Sequence, residues 1–355
     1  MPRARVASVD ALRALALLPV VVVNAMTYAE MPGGGFFPAL SDAQPVDLAA
    51  LLLVATLLQG KGIALLMFLF GYSLSWSRDA RQRVRRLLPV GLLHGSFVYL
   101  GDIVHQYALV GVWAGRSLRW PARRLRRAVW VWGGLSGVLL LLLGWATLAF
   151  GGGGDELGPR LVNTTAWTDW WWLNATSFWA DLPWGLLGLG PVALALVYLG
   201  VWAGRMRWLH HRRWRAHWVR WARWAPWTLL ANLAYAAATV VALQHAPRDA
   251  PGLLIWMGWL GPLTVATWVP WLLLRARWPR WLVLAGRNTL SMYVAASAGT
   301  VLLLVGPGLA WRPSVAALAL AAVALWLALA LASAGLAATG RRGPLEAWVG
   351  RGRPA

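Results

Sequence analysis

Four polar residues lie in stretches of the sequence that are otherwise strongly apolar: Asn24, Lys61, His94 and Asp102. A charge placed in hydrocarbon costs on the order of 2 to 4 kcal/mol, so such residues need a partner or a function. His94 is the candidate general base, because a partly buried imidazole without a charged partner stays neutral and can accept a proton. The four residues therefore indicate acid–base chemistry inside a membrane. The alternative for His94 is a hydrogen bond between helices.

Lys61 and Asp102 suggest an ion pair. Lys61 is the only lysine in the chain, and lysine can change its pKa on burial whereas arginine does not. Helical rise puts Lys61, Asp102 and Asn24 each roughly 21 to 24 Å from the basic boundary, and His94 about 12 Å. We expect Lys61 and Asp102 to pair at matching depth. Asp102 is too far from His94 in one straight helix, and a turn between them leaves their distance open.

Further polar residues are candidates for substrate binding or structure. Asp10 and Arg13 are three residues apart, so they share a helix face and are expected to pair. Tyr107 lies in the same segment as Asp102. A second group lies at the start of an apolar span and consists of Arg287, Asn288, Ser291 and Tyr293. We expect His105 to be an interface residue. No metal site is expected, because the chain has no cysteine and no convincing histidine cluster.

The segment 87–115 predicts two short helices that fold back on each other. Its 29 residues are too many for one upright crossing, which needs roughly 20, and too few for two. A turn at Gly101–Asp102 would give arms of about 15 residues, or roughly 22 Å. That turn would lie within the membrane, where irregular backbone requires surrounding protein or a water-filled cavity. We expect a cavity there.

The distribution of arginine supports this hairpin. With it, six basic runs face the same side and hold 29 of the 33 Lys and Arg residues; the runs are 3–13, 78–86, 116–127, 205–223, 275–287 and 341–353. A single crossing at 87–115 would divide them between both sides of the membrane. Because cytoplasmic loops are enriched in Lys and Arg, the sequence predicts both termini inside.

The composition indicates a multi-pass helical membrane protein. Of 355 residues, 59% are hydrophobic and 13% are charged, with 28 tryptophans. The net charge of +21 would suggest nucleic acid in a soluble protein, but here the arginines lie at the ends of apolar spans, so we expect no nucleic-acid partner. The arginine- and tryptophan-rich stretch 205–224 predicts an interfacial helix on anionic lipid headgroups.

We expect one all-α transmembrane domain, 1–355, with about ten spans and short broken helices around 46–77 and 87–115. An outer loop follows the first span at 31–35. A second outer loop, 151–183, contains an aromatic interfacial helix at 168–174 that covers the outer mouth. Six further spans are predicted after the hairpin, at about 129–150, 184–204, 225–244, 253–274, 288–306 and 314–338.

These same residues resemble the YeiB-like family (domain of unknown function 418), bacterial multi-pass membrane proteins. The matching pieces are SVDALRA at 8–14 with Asn24, Lys61 with FLFG at 68–71, GLLH at 91–94, GDI at 101–103, YA at 107–108, GRNTLSMY at 286–293 and GPLE at 343–346. The resemblance implies a location in the bacterial inner membrane. More distantly, the family is similar to a transmembrane acyltransferase superfamily that includes heparan-α-glucosaminide N-acetyltransferase.

That similarity implies acyl-CoA as a cytoplasmic donor and an outward-facing acceptor, which is a small molecule, a sugar or a lipid headgroup, and no metal is expected. The N-acetyltransferase has a histidine where this chain has MPGGGF at 31–36, so His94 would replace it as the base. Lys61 or Asn24 would then stabilise the oxyanion of the thioester. The alternatives are a proton-coupled small-molecule transporter or exporter built on the broken helices, and a non-catalytic membrane scaffold.

Overall fold

The computed structural model describes residues 6–30, 44–77, 79–150, 160–161, 163–245, 250–258, 260–275 and 277–350, and contains no strand within them. The expected all-helical fold is confirmed. The helices are α1 (Ala7–Glu30), α2 (Pro45–Leu57), α3 (Lys61–Leu74), α4 (Ala80–Phe97), α5 (Val104–Ser117), α6 (Ala122–Phe150), α7 (Trp167–Met206), α8 (Arg215–Ala222), α9 (Ala225–His245), α10 (Ala250–Met257), α11 (Leu260–Arg275), α12 (Arg280–Ala285), α13 (Thr289–Leu304), α14 (Val315–Ala338) and α15 (Pro344–Val349).

Six segments of the described chain are long and apolar enough to cross a membrane: α1, α2 with α3, α6, α7, α9 and α14. The protein is therefore a multi-pass helical membrane protein. Helix α13 is apolar but shorter, and the segments expected to cross at 87–115 and 253–274 are divided into helices that are not among these six. The outer loop expected at 31–35 and residues 151–159 and 162 of the loop expected at 151–183 lie outside the described residues.

Both expected breaks are present. Helix α2 ends at Leu57 and α3 begins at Lys61, with Gly60 between them at φ +75°, a backbone conformation that glycine adopts without strain. Helix α4 ends at Phe97 and α5 begins at Val104, so residues 98–103 form the turn of a helical hairpin. The sequence stretch around 253–274 is also divided, into α10 and α11.

Helix α7 includes residues 167–183, which were expected to belong to an outer loop. The sequence predicted a separate interfacial helix at 168–174 and a span at 184–204, whereas one continuous helix runs over 40 residues, or roughly 60 Å. Trp170, Asn174 and Phe178 are spaced by four residues and are all buried, so they form one inward face. This face packs against the hairpin of α4 and α5, which explains why the helix continues through the segment.

Helix α1 lies in the centre of the bundle, in contact with α3, α12, α13 and α14, and α3 packs along α7. Several hydrogen bonds join the basic runs at one end of the bundle, which we call the basic end. They run from Ser8 to the carbonyl of Leu209, from Arg205 to those of Ser117 and Trp120, and from Arg86 to that of Val349. The basic runs in these contacts therefore share one face, as the hairpin requires.

The hairpin depends on a close approach between its two arms. A Cβ atom added to Gly91 in α4 would lie 2.2 Å from the backbone nitrogen of His105 in α5. Because the obstacle is backbone, it cannot move aside as the end of a side chain would.

We predict that Gly91→Ala lowers the free energy of unfolding by about 1–3 kcal/mol through overpacking, measured by thermal or denaturant unfolding in detergent. Gly134→Ala in α6 is the matched control, since its Cβ atom would meet nothing within 4 Å. That variant should be neutral or gain up to about 1 kcal/mol from helix propensity. Equal effects of the two substitutions would contradict the packing of the hairpin.

Candidate active site

The carboxylate of Asp102, in the turn of the hairpin, is the centre of a buried hydrogen-bond cluster. Its Oδ1 atom lies 2.8 Å from Nδ1 of His94, and Oδ2 lies 2.9 Å from Nδ1 of His105. The backbone N–H of His105 also donates to Oδ2, at 2.8 Å, and the hydroxyl of Tyr293 donates to Oδ1 at 3.4 Å. The turn thus lets a residue at position 94 meet one at 102, which a straight helix would not allow.

The carboxylate determines which ring nitrogen of each histidine is free. An ionised carboxylate only accepts hydrogen bonds, so Nδ1 of a neutral ring must carry the proton and Nε2 keeps its lone pair. The Nε2 atoms of His94 and His105 are both buried, with no hydrogen-bond partner among the described residues. A carboxylate that orients an imidazole in this way prepares the ring to act as a general base.

Aromatic side chains enclose both imidazoles. The ring of His94 lies 4.9 Å from that of Tyr293, and the ring of His105 meets that of Phe178 edge-on at 5.1 Å. Asp102 and the two histidines are each at most 3% exposed. Among the described residues no three histidine or acidic side chains are arranged to hold a metal ion.

Asn174 of α7 satisfies the backbone where α4 ends. Its Nδ2 atom donates to the carbonyls of Gly95 and Ser96, at 2.9 and 2.8 Å, and its Oδ1 atom accepts from the N–H of Leu100 at 3.1 Å. Tyr28 donates to the carbonyl of Val98 at 3.2 Å. Protein side chains therefore replace the water that an open turn would need. The expected cavity does not surround Asp102, although Ile103 and Val104 contribute to a cavity wall.

That cavity opens at the basic end and has a volume of about 390 Å³. Five arginines and three carboxylates line it: Arg13, Arg83, Arg86, Arg287 and Arg342 with Asp10, Asp79 and Glu346. Its inner wall includes Tyr107 and Tyr293, and the hydroxyl of Tyr107 is buried without a partner among the described residues. His94 is not on the wall. Tyr293, which contacts both the cavity and His94, separates them.

The ion pair expected between Lys61 and Asp102 is not formed. Lys61 is 6% exposed and its ammonium donates to the carbonyl of Ala55 at 3.0 Å, while both carboxylate oxygens of Asp102 accept from histidines. The similar depth expected from helical rise does not bring the two side chains together, because Lys61 lies at the break between α2 and α3 and Asp102 in the turn between α4 and α5. Lys61 instead donates to a carbonyl in the last turn of α2, where a positively charged donor is favourable.

The other candidate residues lie at three places: on the cavity wall, in α1 away from that wall, and at the start of α13. Asp10 and Arg13 form the expected pair, at 3.1 Å, and both line the cavity. Arg287 and Tyr107 also line it. Asn24 is half-buried in α1 and belongs neither to the cavity wall nor to the hydrogen bonds described around Asp102.

Asn288 and Ser291 hold the C-terminal helix in place. The Oδ1 atom of Asn288 accepts from the N–H of Gly343 at 2.8 Å, and the hydroxyl of Ser291 donates to Glu346 at 2.5 Å. Glu346 also accepts from the N–H groups of Leu290 and Ser291, at 2.7 and 3.1 Å, which is a favourable place for a carboxylate because α13 begins there. Their role in the structure is to anchor α15.

The sequence reasoning missed His105, Asn174, Phe178 and the function of Glu346. The expectation that His105 lies at an interface was wrong, since it is buried against Asp102. Its position three residues after Asp102 was a usable signal, because residues so spaced meet on a helix. Asn174 and Phe178 carried no such signal, because their contacts are with residues more than 70 positions away.

Residues 203–351 match the model of a family described as protein of unknown function (DUF418), which bears out the family resemblance over that part of the chain. The GRNTLSMY and GPLE motifs lie inside the matched region, and the residues around Asp102 lie before it. No curated protein and no solved structure matches the chain.

We predict that Asn174→Leu lowers the free energy of unfolding by roughly 2–5 kcal/mol, because three interhelical hydrogen bonds worth about 0.6–1.7 kcal/mol each are lost within the bundle. Unfolding in detergent measures the change. Thr176→Val is the control, since this exposed hydroxyl on the same helix bonds only to its own backbone. A loss for Asn174→Leu no larger than that of the control would show that Asn174 does not support the turn.

Proposed function

We propose that this chain, residues 203–351 of which match the DUF418 family model, is an inner-membrane acyltransferase that uses acyl-CoA from the basic end. The observation that supports this proposal most strongly is the position of the Asp102–His94 pair. It lies directly behind Tyr293, at the inner end of a cavity whose opposite end is lined by arginines. A base, an orienting carboxylate and a cationic entrance are the elements that transfer from a phosphate-bearing thioester requires.

The cavity suits part of the donor in size and its phosphates in charge. Its volume of about 390 Å³ is within the range of small-molecule sites, roughly 300–1,000 Å³. Arginine binds phosphate through paired N–H groups, so the five arginines suit the phosphates of coenzyme A. Farther in, the wall is apolar, with Leu17, Leu66 and Phe70, which suits the pantetheine arm and the acyl group.

In the proposed reaction, a hydroxyl or amine of the acceptor attacks the carbonyl carbon of the thioester. Its proton passes to Nε2 of His94, whose Nδ1–H stays bonded to Asp102. The new C–O or C–N bond forms, the C–S bond breaks, and the thiolate of coenzyme A takes the proton. Tyr107 lines the cavity, and its hydroxyl has no hydrogen-bond partner among the described residues, so in the proposed reaction it replaces Lys61 as donor to the oxyanion. Tyr293 has to move away from His94 for the reactants to reach it.

The proposal includes an orientation. The basic end faces the cytoplasm of a bacterial inner membrane, with both termini inside and about ten crossings, as the distribution of arginine favours. Guanidinium groups at this end contact anionic lipid headgroups. The acceptor, a sugar, lipid headgroup or other small molecule, comes from the opposite side near Trp170–Trp172. Trp170 itself is buried and Trp172 is 75% exposed, so Trp172 is the residue available to it.

A transporter is the second candidate. The cavity opens at one end and stops at a buried group of titratable residues. A cavity closed by Tyr293 in front of the buried Asp102 cluster is also what one state of an alternating-access, proton-coupled transporter would have. Proton flux that depends on a solute in vesicles, without turnover of acyl-CoA, would favour it over the enzyme.

The test of the enzyme uses purified full-length protein in nanodiscs with acetyl-CoA and longer acyl-CoAs, and follows free thiol. We predict turnover by the wild type and a fall of about 10²–10⁴-fold in His94→Gln, which is the usual contribution of a general base. His245→Gln, at an exposed position, is the control and should keep full activity. Absence of turnover with every donor, or an active His94→Gln, would refute the proposed mechanism.

A second prediction concerns binding of the donor. Arg287→Gln should raise KM for acyl-CoA about three- to tenfold while kcat changes little, because an exposed charge pair is worth about 1 kcal/mol. The effect should shrink in high salt. Arg280→Gln, at the same end but not on the cavity wall, should leave KM unchanged. An equal rise in both variants would indicate a general effect of charge and not a donor site.

A further inference from the structure

We propose that His94, Asp102 and His105 form a binding site for one mobile proton, which either imidazole can carry on its Nε2 atom, and that this site excludes a second proton. The inference does not depend on whether the protein is an enzyme or a transporter. It concerns the pair of histidines as a unit, whereas the proposed reaction uses His94 alone.

The first argument is that two imidazoles share one carboxylate. The Nδ1 atoms of His94 and His105 lie 2.8 and 2.9 Å from the two oxygens of Asp102. The side chain of Asp102 is fully buried, and those of the histidines are 1% and 4% exposed. One imidazolium would be compensated by the carboxylate. Two would leave a net positive charge without a counter-ion in a buried position, which costs several kcal/mol.

The second argument concerns the groups around the cluster. The titratable side chains that the structure places against it are the phenols of Tyr99, Tyr107 and Tyr293, which lie in the turn, in α5 and in α13. The inward face of α7 contributes Asn174 and Phe178. Neutral phenols, an amide and a benzene ring carry no net charge. Among the described residues placed against the cluster, Asp102 is therefore the counter-ion that both histidines have to share.

The two imidazoles, whose Nε2 atoms have no hydrogen-bond partner among the described residues, have different neighbours. The ring of His94 packs against Tyr293, which lines the cavity, whereas the ring of His105 packs against Phe178 in α7. His94 is therefore the imidazole nearer the cavity, and a proton on His105 is held farther from it.

The charges balance through the proposed transfer. At rest both rings are neutral and the cluster has the single negative charge of Asp102. When the proton of the acceptor passes to His94, the cluster becomes neutral. It returns to one negative charge when the thiolate takes that proton from His94. The cluster never has a net positive charge, which explains the use of one carboxylate with two bases.

The experiment is nitrogen NMR of the full-length protein in nanodiscs, labelled with ¹⁵N at histidine. The ¹⁵N shifts distinguish neutral rings from imidazolium, and the variants assign the signals. On acidification, the imidazolium population of His94 and His105 should rise together to about one per chain and no further.

Each single variant should then move the proton to the remaining ring. In His94→Gln the imidazolium should be on His105, and in His105→Gln it should be on His94. In Asp102→Asn the imidazolium signals of His94 and His105 should fall on the order of tenfold, because their counter-ion is lost. His217→Gln, exposed against Trp214, is the control and should leave both signals unchanged.

Three results would overturn the proposal. They are two imidazolium rings in one molecule, a His105 that stays neutral in His94→Gln while His94 is protonated in the wild type, and no imidazolium on either ring at any pH. Since this measurement uses no acyl-CoA, its failure is distinct from failure of the acyltransferase proposal. Circular dichroism of each variant shows whether the helical fold is kept.

Discussion

A buried carboxylate without water has to be hydrogen-bonded, and in this protein that requirement falls on Asp102. Its side chain is fully buried, and an unpaired charge there would be strongly destabilising. Two imidazoles, one backbone N–H and one phenol meet the requirement. They come from both arms of the hairpin and from α13, so this one carboxylate joins three helices at a single point.

The hairpin exists because its open backbone groups find partners within the protein. A helix that stops inside a membrane leaves carbonyls and N–H groups without hydrogen bonds, and lipid provides none. Asn174 and Tyr28 provide them here. The continuous helix α7 is thus part of the same design, since its inward face supplies both Asn174 and the ring of Phe178 that covers His105. The same solution recurs at the other break, where Lys61 donates to Ala55.

The hairpin and one ion pair could be predicted from the sequence, because they depend on segment length, on the distribution of charge and on residue spacing, which are all read along the chain. The length of 87–115 and the distribution of arginine predicted the hairpin, and a spacing of three predicted the Asp10–Arg13 pair. What failed was the direction in which side chains point around the bundle. Lys61 and Asp102 have similar depth but different neighbours, and no pattern in one sequence determines which helices are adjacent.

The account depends most directly on the contacts between Asp102 and the two histidines. A double-mutant cycle tests them, with Asp102→Asn combined with His94→Gln and with His105→Gln, and the free energy of unfolding measured in detergent for each variant. We expect a coupling energy of roughly 0.5–3 kcal/mol for both pairs, as found for residues in contact. Effects that add within about 0.3–0.5 kcal/mol would mean that the carboxylate does not hold the imidazoles, and would contradict the account.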